Sequence, residues 1–377
     1  MKLTHGVIVL TLAAPAAFAQ SNVTVYGVVD LDGEFLSGHA TDVRLTSGGL
    51  NGSRLGFKGT EDLGSGNFVD FVLEGGINVD TGGSAQGGAL FGRQAFGALR
   101  NADFGTLSAG RQYGSAYIIT DQFSIFSNTP VGATTAVIGG YAGGYEPVQG
   151  SSASATTLTN ATGAEVNGSP ARVNNSVRYS TPSLAGFTAS GLYGAGEVTG
   201  QSTKTRLFDA SVRYTGYGVD AVVAIVNDKA VGAAAATTAD VNTILVAAKY
   251  TLDALRVTGG YLRGNDERSV AVRQDGTGFW LGADYRIGAN LFKAQWVQNK
   301  IDNTTTGNVV AAGRSAKTNA YGVGYQYDFS KRTALYAMAT RFLNNGVARF
   351  DTAIPAGLTA AGDLSFNQFA LGMRELF

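Results

Sequence analysis

No cysteine occurs among the 377 residues, so disulfides, thiolate metal sites and cysteine nucleophiles are all excluded. Histidine is nearly absent too. Beyond the N-terminal segment only His39 remains, in a polar connection with no readable nucleophile or orienting carboxylate beside it. A hydrolytic triad needs such neighbours, which argues against an enzyme. No His cluster suggests a metal, and "GGSAQGG" (82–88) opens no helix that would make it a phosphate loop. No cofactor is therefore expected. Charged residues make up only 15%, against about 25% in an ordinary soluble protein. After the N-terminus no run of 18 apolar residues appears, so no transmembrane helix is expected.

The N-terminus reads as a secretory signal. Lys2 supplies a positive start, Val7–Leu12 an apolar stretch, and Ala17-Phe18-Ala19 a small-residue cleavage pattern. Residues 1–19 are expected to be removed, leaving 20–377 as one domain beginning at Gln20. Taking away Lys2 leaves 28 − 1 = 27 basic residues against 28 acidic ones, a net charge of −1. That balance offers no footprint for nucleic acid.

What the chain does have is 53 glycines, 20 phenylalanines and 16 tyrosines, spread through short alternating segments. "SRLGFKGTE" (53–61) places Arg54, Gly56, Lys58 and Thr60 on one face and Ser53, Leu55, Phe57 and Gly59 on the other. "NFVDFVLEGGINV" (67–79) sets Val69, Phe71 and Leu73 against Asp70, Val72 and Glu74. Similar segments begin at 23, 90 and 106. After residue 171 they recur near 173–181, 185–196, 205–216, 218–228, 242–252, 255–265, 276–287, 290–302, 315–329, 332–345 and 364–377. About sixteen strands of about ten residues result, the number and length of an outer-membrane barrel.

The connections alternate as well. Short ones such as "DLGSG", "NADFG", "TGYG" and "DFSKR" take turns with long ones centred near residues 44, 85, 140, 200, 235, 270, 308 and 354. Sorting by parity is a barrel property, with short turns on the periplasmic rim. The fold class is thus all-β, a transmembrane antiparallel β-barrel. In lipid every backbone polar group must be paired internally, and a closed barrel does this with an apolar outside and a polar, watered inside. Leu55 and Phe57 then face lipid, and Arg54 and Lys58 face a lumen. Tyr26, Tyr113, Tyr179, Tyr214, Tyr250, Tyr261, Tyr285, Tyr325, Tyr327 and Tyr336 suit the aromatic girdles at the interfaces. The final strand runs to Phe377 and can pair with the first, removing both sheet edges.

"VTVYGVVD", "SRLGFKGTEDLGSG", "FGRQAFGALRNADFGTLSAGRQYG", "ARVNNSVRYSTPSLAGF" and the terminal Phe377 together resemble the general (non-specific) porins of Gram-negative bacteria, especially the β-proteobacterial type. The resemblance spans the mature chain in order. It implies a sixteen-stranded homotrimer in the outer membrane, in contact with lipid and lipopolysaccharide, whose third loop folds into the lumen. Small hydrophilic solutes and ions would diffuse through it passively. It departs from the family at Glu375, where an apolar or aromatic residue, or His, usually stands two places before the terminal Phe.

By resemblance Arg54, Arg111 and Arg172 belong to a basic cluster at the pore constriction, with Arg93 and Lys58 added by position. Such a cluster facing a loop sets a transverse field that biases which ions pass. Between Gly114 and Ala171 the carboxylates are Asp121, Glu146 and Glu165, with no Lys or Arg. Asp121 is placed to line the constriction. The short acidic complement implies anion preference. A substrate-specific sugar or anion channel is the alternative. For sugar it would want a lumen ladder of aromatics, whereas the rings here mostly share parity with apolar neighbours. A secreted adhesin would instead be soluble.

Overall fold

The computed structural model describes residues 22–38, 42–127, 129, 171–195, 206–231, 238–269, 272–303, 315–345 and 365–377. Its first strands are β1 (Asn22–Ser37), β2 (Asp42–Ser47), β3 (Arg54–Gly64), β4 (Asn67–Asn78) and the two-residue β5 (Gly83–Ser84). Then come β6 (Gln94–Asn101), β7 (Gly105–Tyr113), helix α1 (Ser115–Gln122), β8 (Arg172–Ser180) and β9 (Phe187–Ala195). The chain continues through β10 (Arg206–Gly216), β11 (Val219–Val231), β12 (Thr238–Leu252), β13 (Leu255–Ser269) and β14 (Val272–Ile287). It ends with β15 (Asn290–Asn303), β16 (Ser315–Asp328), β17 (Ala334–Asn345) and β18 (Phe366–Leu376).

All pairings are antiparallel, and β18 returns to β1 over Val28↔Leu376 to Ser37↔Asn367. Gly27 and Phe377 exchange two further backbone hydrogen bonds, of 2.9 and 3.2 Å. The sheet therefore closes into a barrel whose wall has sixteen strands, β2 and β5 being short additions. Closure leaves no edge, which the backbone needs in a bilayer.

Alternation resolves which face is which. Leu55 is exposed on the outside, as are Leu281, Phe292, Val323 and Leu371. Their neighbours Gly282, Leu291, Gly322 and Ala370 turn inward and are buried. Seven of the ten tyrosines read as girdle residues lie outward, but Tyr26, Tyr113 and Tyr336 do not. Tyr26 and Tyr113 each donate to Glu74 and Tyr336 donates to Asp30, all on the inner side. Their phenols satisfy buried carboxylates instead of meeting headgroups.

The short turns are tight. Tyr217 and Gly218 both have positive φ, 53° and 77°, between β10 and β11. A two-residue loop of this hand matches the right-handed twist of the flanking strands. The connections expected near 235 and 270 turn out differently. β11 and β12 run on to Val231 and Thr238, and β13 and β14 pair as far as Ser269↔Val272, so strand replaces most of each loop. Residues 42–47, read as part of a polar gap, form β2 on the upper part of β1.

Between β2 and β3 the chain leaves the wall. Residues 48–53 turn to the inner side, where the amides of Leu50 and Asn51 donate to the Asp30 carboxylate at 3.2 and 2.7 Å. Buried Leu50 joins Ile125, Phe126, Tyr336, Met338 and Ala370 in one apolar cluster. The second inner element follows β7. The buried face of α1 packs with Val173, Leu192 and Leu207 of β8–β10. Beyond it, Phe123 O accepts from Thr258 Oγ1 and, at 2.8 Å, from Trp280 Nε1. Gln295 Oε1 accepts from the Ile125 amide at 2.7 Å. Trp280 lies flat across Gly260, where any Cβ would collide with the ring. This half of the inner wall is thus more apolar than a purely watered lumen would be. Glu146 and Glu165 lie outside the described residues, as does His39.

Candidate functional site

The candidate site gathers where β3, β4, β7 and β8 approach the start of α1. Its centre is Glu74, an inward residue near the end of β4. The antiparallel register sets Gly56 opposite Glu74 and Arg54 opposite Gly76, which brings the two charged side chains onto neighbouring rungs. Arg54 Nε lies 3.7 Å from Glu74 Oε2. Arg93, just before β6 and almost fully buried, donates from Nε to Oε1 at 2.7 Å. Tyr26 Oη donates to Oε2 at 2.9 Å and Tyr113 Oη to Oε1 at 3.0 Å. One carboxylate thus holds two guanidinium groups and two phenols.

Arg172 joins through rings. Its guanidinium carbon sits 5.4 Å from the Tyr113 centroid and 5.2 Å from that of Tyr117. The two rings are stacked 4.7 Å apart, 10° from parallel. Arg93 also lies 5.8 Å from the Tyr113 ring. Cations over aromatic faces are held without being neutralised. Asp121 follows Tyr117 by four residues on α1, one turn along the same face. Lys58 is exposed on the inner side, 5.1 Å from the Tyr26 ring and nearer the short-turn rim than Arg54.

Arg111 is placed differently from the other three arginines. It stands opposite Ala95 at a bulge of β7, where the register against β8 shifts between Gly110 and Gln112. It is anchored by Nε to Gly92 O at 2.8 Å and by a terminal nitrogen to Asn174 Oδ1. The structure therefore brings Arg54, Arg93 and Arg172 together around Glu74 and Tyr113, with Lys58 adjoining.

Glu74 itself was not singled out from the sequence. Its parity with Asp70 was readable, but its partners depend on register. The row Asp30, Asp32 and Glu34 on β1 was also missed. All three are inward and buried, although "DLDGE" announces the alternation. Asp30 accepts from Tyr336 at 2.5 Å, and Glu34 accepts from Arg44 Nε at 2.8 Å and Gln368 at 3.0 Å.

A closed sixteen-stranded barrel, apolar outside, with charged groups on its inner wall, defines a β-barrel membrane channel. The chain belongs to the Gram-negative porin family, which matches residues 6–347. It is accordingly an outer-membrane channel protein of Gram-negative type, and not an enzyme. Outer membrane porin protein 32 of Delftia acidovorans is 28% identical over 390 residues, covering all of both chains. An outer membrane porin protein of Bordetella pertussis is 29% identical over 378 residues, covering 86% of this chain and 89% of its own. Among solved structures, an anion-selective porin from Comamonas acidovorans superposes with a TM-score of 0.72 at 24% identity, over 95% of this chain and all of its own. OmpT of Vibrio cholerae in its trimer form gives 0.63 at 14% identity, over 95% and 99%. The structural likenesses bear on the fold.

Proposed function

We propose that this porin is a general diffusion channel for small hydrophilic solutes and ions, that it prefers anions, and that it works as a homotrimer surrounded by outer-membrane lipid and lipopolysaccharide after loss of residues 1–19. The observation that carries the preference is the charge count at the site. Two guanidinium groups, Arg54 and Arg93, share the Glu74 carboxylate and a third, Arg172, adjoins them through the Tyr113 ring, so the cluster keeps a formal excess of 3 − 1 = 2 positive charges. Lys58 adds to it on the short-turn side. Asp121, on α1, is read as the facing side of the constriction. An inner wall of this sign lowers the energy of a passing anion and raises that of a cation. The description of the Comamonas protein as anion-selective agrees with this reading.

Reversal potentials in a KCl gradient across planar bilayers test it. Chloride is expected to carry more current than potassium, and clear cation selectivity would overturn the preference. Replacing Arg54 and Arg172 by Gln is expected to move the reversal potential towards that of potassium. Arg111→Gln is expected to move it less, because that side chain is tied to Gly92 O and Asn174 Oδ1 and not to the Glu74 cluster.

A further inference from the structure

A second charged surface lies on the β10–β18 part of the inner wall, away from Glu74 and close to the short turns. Asp220 takes Arg213 Nε at 2.6 Å and Lys249 Nζ at 3.1 Å. Asp284 takes Arg256 Nε at 2.9 Å, and its cross-strand partner on β15 is Lys293. Asp328 takes Arg286 at 2.7 Å, with Arg374 at 4.0 Å. Each group has two cations to one carboxylate and so keeps 2 − 1 = 1 positive charge. All lie within a few residues of the turns after β10, β12, β14 and β16 or of the end of β18.

The depth of the charges differs by sign. The Asp220 and Asp284 side chains are only 11% and 7% exposed, whereas those of Arg213 and Arg256 are 33% and 37% exposed. In these two groups the carboxylates sit against the wall and the cations cover them; at Asp328, 20% exposed, Arg286 is the more open cation at 45% and Arg374 the deeper one at 15%. The inner limit of this surface is the end of α1. Arg213 donates to Gln122 Oε1 at 2.8 Å, Lys249 Nζ stands 4.8 Å from the Phe123 ring, and Lys293 Nζ stands 6.0 Å from the Phe126 ring.

From this layering we infer that the β10–β18 wall between α1 and the periplasmic rim is a binding surface for multivalent oxoanions entering from the periplasmic side. Three residual charges spread over one concave wall attract a divalent anion more than a monovalent one, because Coulomb attraction scales with the ligand's charge. The inference rests on the channel itself and not on the selectivity assigned to the Arg54 cluster.

Inorganic phosphate is the probe. Its block of KCl current is measured in single channels of known orientation, with phosphate added to either side. Block from the short-turn side is expected at lower phosphate than from the loop side. Arg256→Gln leaves the neutral pair Lys293–Asp284, and Asp284→Asn leaves two uncompensated cations. The first is expected to weaken short-turn-side block, the second to strengthen it. Each shift is expected to be roughly two- to sixfold, the effect of one charge at ~8 Å from a dianion in water with and without screening. Unchanged block in both variants, or shifts of the same sign, would overturn the proposal. So would equal block from the two sides of the unmodified channel. Arg54→Gln serves as the control: it is expected to move the KCl reversal potential and leave the sidedness of phosphate block in place. A cation-selective channel that keeps this sidedness would defeat the proposed preference and leave the binding surface standing.

Discussion

Glu74 shows how much one side chain can organise. Its side chain is 6% exposed and its two oxygens receive Arg93, Tyr26 and Tyr113 within 3.0 Å. Arg93 is nearly as deeply buried, so the pair stands or falls together. Removing one member of a buried pair strands the other charge, at a cost of about 3–5 kcal/mol. Glu74→Gln keeps the shape and one acceptor oxygen but removes the charge. It is expected to lower the temperature at which the barrel unfolds in SDS, seen as a shift between folded and unfolded bands on a heating series. Any channel that still forms is expected to favour anions more strongly, since the cluster then keeps three positive charges instead of two. An unfolding temperature equal to that of the unmodified protein would show that Arg93 finds another partner. The sequence made the inward face of Arg54 and Lys58 legible, because period two needs no knowledge of partners. It did not reveal the role of Glu74. That depends on the β3–β4 register and on a phenol from β7, whose Tyr113 is 39 residues away in sequence.

Among the elements, strands were legible and departures from the wall were not. Strand alternation is imposed locally by lipid on one side and the lumen on the other, so each segment announces itself. The 48–53 tuck and β2 are glycine-rich or short, and nothing in their own composition says that Asp30 will accept the Leu50 and Asn51 amides. Helix α1 depends even more on distant partners. It has eight residues, and isolated helices that short are marginal in water. Its end is fixed by Phe123 O, which accepts from Trp280 and Thr258 on two separate strands. Trp280→Phe removes one of these donors and keeps most of the ring. The net loss is expected to be about 1 kcal/mol, the usual worth of one such hydrogen bond. Amide hydrogen exchange in residues 119–126 is expected to speed up about fivefold, the population change that 1 kcal/mol brings. Exchange elsewhere in the barrel is expected to stay the same. Unaltered exchange in 119–126 would mean that Thr258 and the apolar packing suffice to hold this segment.

For the molecule as a whole, the decisive property is closure, and the C-terminus carries it. β18 supplies the pairing that joins the last strand to β1, and its final residues reach Val28, Val29 and Asp30 through Leu376, Glu375 and Arg374. Glu375 takes the outward parity of Phe369, Leu371 and Met373, so the departure noted in the sequence costs apolar surface and leaves the ladder intact. Phe377 contributes through its backbone, in the two hydrogen bonds with Gly27, and through its ring, which occupies the space where a Gly27 Cβ would lie. These contributions can be separated. Phe377→Ala keeps the backbone bonds and is expected to yield a closed barrel that assembles more slowly, judged by appearance of the compact band on unheated gels. Deleting residues 374–377 removes both bonds, three rungs of the β1–β18 ladder, and Arg374 from Asp328 and Asn51. Each unpaired backbone group exposed to hydrocarbon costs several kcal/mol. The truncated chain is therefore expected to give no compact band and to be digested by protease. A truncated chain that still migrated as a compact, protease-resistant species would show that β1 and β17 can close the wall without the last rungs, and that the seam is not where the barrel's stability is concentrated.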